Sequence, residues 1–199
     1  DVLGSRGLGD VYKRQHLNGK SPSNINEAGA KTTFGAPLKA PKRNYLYLLR
    51  SSDNGKTWSK PKDITGQVLI KQDGTFLGVA PGVGLTTHKG RVIMPLYVDR
   101  KQTVSIYSID DGENWHRMAG HPYAENVDEW QMVQAPSGAI IGLGRAKRYG
   151  KTPMSISYDD GKTWINAGKT DLYAPKCQKS VISIGDYVLT GGELAAAVM

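Results

Sequence analysis

The chain has 199 residues, with 24 Gly, 10 Pro, one cysteine and a net charge of +8. A lone Cys177 excludes an internal disulfide framework, and no run approaches the roughly 18 consecutive apolar residues of a membrane helix. Lys and Arg are scattered and form no basic arm, so no nucleic-acid partner is expected, and the glycine and proline content points to many turns rather than long helices.

In chain order, residues 1–15 (DVLGSRGLGDVYKRQ) carry neither a strand nor a helix period. Short β-rich stretches follow at Asn44–Arg50 (NYLYLLR), Arg91–Val98 (RVIMPLYV), Thr103–Ser108 (TVSIYS), Ala139–Arg145 (AIIGLGR) and Met154–Tyr158 (MSISY), separated by D-G, N-G, S-G or K-G turns. No helical period is sustained over a dozen residues, so the expected class is all-β.

One lettering occurs three times: SSDNGKTW from Ser51, SIDDGENW from Ser108 and SYDDGKTW from Ser157. The starts lie 57 and then 49 residues apart, near the span of a four-stranded propeller blade. In the third copy, Asp160-Gly161 suits the positive φ angles of a tight hairpin, and the Asp159 carboxylate can accept N–H bonds from the turn. Ser157 closes the incoming side through its hydroxyl, and Trp164 opens the outgoing strand with a ring to bury. A catalytic site needs different groups at one place, whereas Asp53, Asp110 and Asp159 would be carried to different blades. The expectation is therefore structural for Ser51, Asp53, Gly55 and Trp58, for Ser108, Asp110, Gly112 and Trp115, and for Ser157, Asp159, Gly161 and Trp164.

Other chemistry is thin. His16, His88, His116 and His121 have no metal-ligand spacing, and no metal or cofactor is expected. Cys177 has no histidine near it in sequence for a thiol nucleophile, and GVAPGVG (residues 78–84) lacks the Lys and Ser/Thr of a phosphate loop.

The three repeats resemble the Asp-boxes, or bacterial neuraminidase repeats, of sialidases. Between them, GVAPGVGLTTHKGRVIMPLY (Gly78–Tyr97), VDEWQMVQAPSGAIIGLGR (Val127–Arg145) and DLYAPKCQKSVI (Asp171–Ile182) resemble sialidase segments in that family's order, so the likeness covers about residues 42–182. It implies a partial, roughly three-bladed β-propeller from a six-bladed parent. It also implies retaining release of terminal sialic acid from a sialylated glycan, with a tyrosine nucleophile instead of a second carboxylate. A neutral phenol suits a substrate that carries its own carboxylate. Three arginines would hold that carboxylate, and an aspartic acid would protonate the leaving group. By position, Glu129 matches the glutamate that takes the phenol proton, Arg145 the second arginine, and Gln178 a substrate-side residue, with Cys177 beside it. Glu129 and Arg145 are expected at one cleft, with the boxes at the outer rim. Asp128 and Arg148 are read as neighbours without a role.

The departures concern the flanks. No R-I-P motif for the first arginine occurs, no Asp stands between Asp10 and Asp53, Arg50 reads as a strand cation, and none of the ten tyrosines matches the nucleophile. The expectation is the middle of an exo-α-sialidase, inactive as it stands, with a non-catalytic carbohydrate-binding propeller as the alternative. For the parent protein a secreted, cell-surface or periplasmic location is favoured. Residues 1–15 resemble translated adaptor read-through and are set aside as a leader. ISIGDYVLTGGELAAAVM (Ile182–Met199) resembles a glycine-rich loop of bacterial tRNA guanine methyltransferases. The expected organisation is thus a leader (1–15), a propeller fragment (16–182) and a foreign tail (183–199) joined near Val181, the rival reading of the tail being an ordinary strand and turn.

Overall fold

The computed structural model describes residues 45–70, 73, 77–98, 102–123, 127–146, 150–174, 180–184 and 187–190. The leader at 1–15, Cys177, Gln178 and Arg148 lie outside them. The chain divides into two compact units, Asp1–Gly78 and Val79–Met199.

In the first unit, β1 (Tyr47–Leu48) and β2 (Lys62–Asp63) pair antiparallel around the first box. This β1 is shorter than the strand expected at Asn44–Arg50. Outside its two residues, pairing gives way to single bonds: the Leu46 amide donates to the Thr65 hydroxyl at 2.8 Å, and the Ile64 amide to the Leu46 carbonyl at 3.0 Å. A four-residue helix, α1 (Thr65–Val68), follows and buries Thr65 and Val68.

The sheet that follows has the order β3-β5-β6-β7, built from β3 (Leu77–Val79), β5 (Val92–Val98), β6 (Gln102–Ser108) and β7 (His116–Arg117), with β4 (Leu85–Thr86) also on β5. Its edge is therefore interrupted between β3 and β4 by residues 80–84. Pro95 sits in β5 opposite that interruption, where its carbonyl accepts the Ala80 amide at 2.9 Å. A proline has no N–H to give a neighbouring strand, so an interior strand tolerates it where the ladder on that side is broken. Ile93, Leu96 and Val104 are fully buried, as an apolar run covered on both faces requires.

The next sheet is a four-stranded antiparallel meander in the order β11-β10-β9-β8, from β8 (Val127–Gln134), β9 (Ile140–Ala146), β10 (Gly150–Ser157) and β11 (Ile165–Ala174). The buried Trp130 ring joins it to the preceding sheet, donating from Nε1 to the Leu96 carbonyl at 2.8 Å. Trp130 meets Trp164 edge-on at 5.6 Å and Tyr123 at 6.4 Å between ring centroids. Gly142 lies beneath these rings, and a Cβ there would come within 2.8 Å of the Ser155 hydroxyl. A last hairpin pairs β12 (Val181–Ile184) with β13 (Tyr187–Thr190), so the position of the expected join is the first residue of β12.

Candidate active site and Asp-box turns

The three boxes fold alike because their bonds are local. Each links two antiparallel strands: β1 to β2, β6 to β7 and β10 to β11. In each, two consecutive residues take positive φ: Asn54 and Gly55 (59° and 83°), Asp111 and Gly112 (54° and 81°), Asp160 and Gly161 (66° and 85°). Asn and Asp are the non-glycine residues that best tolerate this region. The serine hydroxyl donates to the aspartate at 2.8, 2.7 and 2.9 Å and accepts the glycine amide at 2.7, 2.8 and 2.9 Å. The aspartate in turn accepts the backbone amide of Thr57, Asn114 or Thr163 at 2.9, 3.0 and 2.8 Å.

These bonds favour the ionised carboxylate. The Thr57 hydroxyl, its amide and the Ser51 hydroxyl hold Asp53 down to about 2. The Asn114 amide, the Asn114 side chain and the Ser108 hydroxyl hold Asp110 well below the usual range. At Asp159 burial pushes upward, but the Thr163 hydroxyl and amide with Ser157 outweigh it, and the net shift is downward.

One box differs in its tryptophan. Trp58 and Trp115 donate from Nε1 to the carbonyls of Gly55 and Gly112 at 3.1 and 2.9 Å. Trp164 does not close its own turn. Its ring packs on Trp130, and its buried Nε1 has no hydrogen-bond partner among the described residues. The space beside Gly161 faces Ile93 of the preceding sheet and Met118, which follows β7, instead.

Glu129 and Arg145 do meet, in the β8–β9 hairpin. Val127 pairs with Ala146 and Trp130 with Gly144, so two residues of β8 stand opposite Arg145 alone, which makes a β-bulge. The bulge brings both acidic side chains to the arginine. Arg145 Nη1 lies 3.1 Å from Glu129 Oε2, and 3.4 and 3.5 Å from Asp128 Oδ1 and Oδ2. Asp128, read from the sequence as a neighbour without a role, thus contacts Arg145 directly. Its Oδ1 also accepts the Glu129 amide at 2.8 Å. Regular strand alternation sends residues 128 and 129 to opposite faces, and only the cross-strand register reveals the extra residue.

Two further contacts of β8 were not foreseen. The buried Gln131 side-chain amide donates to the Pro81 carbonyl and fills the space that a side chain at Gly82 would need, and Gly82 has φ 111°. Gln134 accepts the His88 amide at 2.7 Å. Tyr123 is buried and donates to the carbonyls of Gly142 at 2.6 Å and Pro153 at 3.2 Å. Burial, set against weaker bonds with Ser155, keeps its phenol well above the ordinary tyrosine range, so it serves as a structural strut. No cluster of three or more metal-ligating side chains occurs among the described residues.

The profile of the BNR repeat-like domain matches residues 31–191. The chain belongs to that family. It is 34% identical over 146 residues to a sialidase of Bacteroides fragilis, covering 70% of this chain and 26% of the relative, and 31% identical over 130 residues to a sialidase of Paraclostridium sordellii, covering 60% and 32%. Among solved structures, the Hadza microbial sialidase Hz136 superposes with a TM-score of 0.65 at 29% identity over 82% of this chain and 31% of that one. The fold is thus all-β, part of a sialidase-type propeller with BNR repeats. The chain spans about a quarter to a third of the length of these relatives. The family match runs beyond Ile182 to residue 191, across β12 and β13.

Proposed function

We propose that this chain is the middle portion of an exo-α-sialidase, a retaining glycosidase that releases terminal sialic acid from glycoconjugates, and that its β8–β9 hairpin carries part of the sugar site. Glu129 is the group that would accept the proton of a tyrosine nucleophile as the phenol attacks the anomeric carbon. Arg145 would bind the sugar carboxylate through a charge-assisted pair of N–H bonds. The observation that carries this reading is the 3.1 Å contact between Arg145 and Glu129 at a bulge, in a segment that resembles the corresponding sialidase one. A base and an anion-binding cation held side by side are what the resemblance requires. Gln178 stays a proposed substrate contact on sequence resemblance alone.

The 199 residues are expected to lack enzyme-like turnover. One cation already faces two carboxylates, so an anionic sugar is poorly held by Arg145 alone, and with no group among the described residues assigned as the general acid, ~10² to 10⁴ in rate would be forfeited. The same crowding favours a second reading, a carbohydrate-binding propeller without chemistry. A fluorogenic sialoside assay separates them when run on the chain and on a graft of residues 42–182 into the matching segment of the Bacteroides fragilis sialidase. The proposal expects no turnover from the chain, turnover from the graft, and its loss on Glu129→Ala. Turnover by the unmodified chain, or a graft indifferent to Glu129→Ala, would overturn these assignments.

A further inference from the structure

The geometry points to Asp128 as a positioning residue for the Glu129–Arg145 pair. The inference rests on the reading that this pair belongs to a sialic acid site. Asp128 has the least exposed side chain of the three, at 9% against 23% for Glu129 and 28% for Arg145. A bulge leaves one residue outside the ladder, and a part-buried amide there is steadied by a side-chain partner. The Glu129 amide has one in Asp128 Oδ1 at 2.8 Å. Asp128 thereby fixes the backbone from which Glu129 projects.

The same carboxylate also straddles Arg145. Its two oxygens lie almost equidistant from Nη1, at 3.4 and 3.5 Å, while the shorter bond goes to Glu129 at 3.1 Å. These are ion-pair distances rather than tight hydrogen bonds, so Asp128 restrains the guanidinium by charge while Glu129 makes the shorter bond of the two. The two jobs are separable by chemistry. An asparagine keeps an oxygen for the Glu129 amide but loses the charge and turns an NH₂ toward Nη1. Alanine loses both.

The test uses the full chain, with Asp128→Asn and Asp128→Ala beside the wild type. Two NMR signals are followed, the Glu129 backbone amide and the Arg145 Nε–H, the latter assigned through Arg145→Lys. N-acetylneuraminic acid is then titrated into each protein. In D128N the Glu129 amide is expected to stay in place while the Arg145 signal moves. In D128A both are expected to move, and the sugar to bind roughly tenfold more weakly than to the wild type, the displacement of Glu129 and Arg145 outweighing the loss of one competing carboxylate. If D128A does not fold, the isosteric D128N still carries the decision. An Arg145 signal and sugar affinity unchanged in D128N would overturn the inference. A wild type that ignores the sugar would instead overturn the sialic acid reading, and the Arg145 signal would still decide whether Asp128 positions it.

Discussion

Arg91 ties the third Asp-box turn to the preceding sheet, and its loss should cost far more than that of a surface cation. Its Nη1 donates to the Asp160 carbonyl at 2.8 Å and lies 2.9 Å from Oδ2 of the same residue, while the guanidinium stands 5.0 Å from the centre of the Tyr107 ring. The pair is mostly buried, with side chains 17% and 7% exposed. Asp160 Oδ1 is buried with no hydrogen-bond partner among the described residues, so Arg91→Met strands a charge that has little other support. Breaking a buried pair on one side costs ~3–5 kcal/mol. The residual exposure of Arg91 argues for the lower end, near ~3 kcal/mol, including the contact with Tyr107. For a domain of this size that lowers the thermal midpoint by roughly 6–12 °C. Asp160→Asn keeps a residue type that tolerates the 66° φ and leaves Arg91 its carbonyl partner, so ~1–2 kcal/mol is expected. Lys151→Ala is the control, since its partner Asp171 is 99% exposed, and it should leave the midpoint unchanged. Tryptophan fluorescence reports the transition through Trp115, Trp130 and Trp164. An Arg91→Met midpoint no lower than that of Lys151→Ala would refute the reasoning.

Three further outcomes are expected. The box aspartates are depressed in the folded state, so their stabilising contribution is complete above about pH 4 and is lost as pH falls through the folded values, about 2 for Asp53; the thermal midpoint measured from pH 6 to pH 2 should be flat above about pH 5 and fall below 4. Tyr123→Phe removes the hydroxyl shared by the carbonyls of Gly142 and Pro153 and should cost ~1–3 kcal/mol in denaturant unfolding, and in the wild type Tyr123 should resist ionisation well above the ordinary tyrosine range when followed by ultraviolet difference. Deleting residues 1–15 and 183–199 should leave the transition nearly unchanged if the tail is foreign; a large fall with the second deletion would make β13 a working strand.

What was legible in the sequence was what is local. The bonds of the box serines with Asp53, Asp110 and Asp159, and of these aspartates with the turn amides, reach no more than four residues along the chain, so the lettering specifies the turn without help from the fold. The meeting of Glu129 with Arg145 was legible from a family resemblance and a hairpin joining two strands. Features set by distant partners were not. Asp128 faces Arg145 because of a register shift that alternation cannot reveal, and Arg91 finds Asp160 at a separation of 69 residues. Trp164 shares its neighbours' lettering, yet its ring packs edge-on against Trp130, 34 residues away, instead of closing its own turn.

The central claim is that Arg145 and Glu129 form part of a sialic acid site. Titrating the 199-residue chain with N-acetylneuraminic acid, with backbone and arginine side-chain NMR signals followed, tests it directly. The account predicts weak binding, with a dissociation constant of about 1 mM or above, equivalent to roughly 4 kcal/mol or less. Shifts should be centred on Glu129, Gly144 and Arg145 and absent in Arg145→Ala. Shifts that avoid the β8–β9 hairpin, or that persist unchanged in Arg145→Ala, would contradict it.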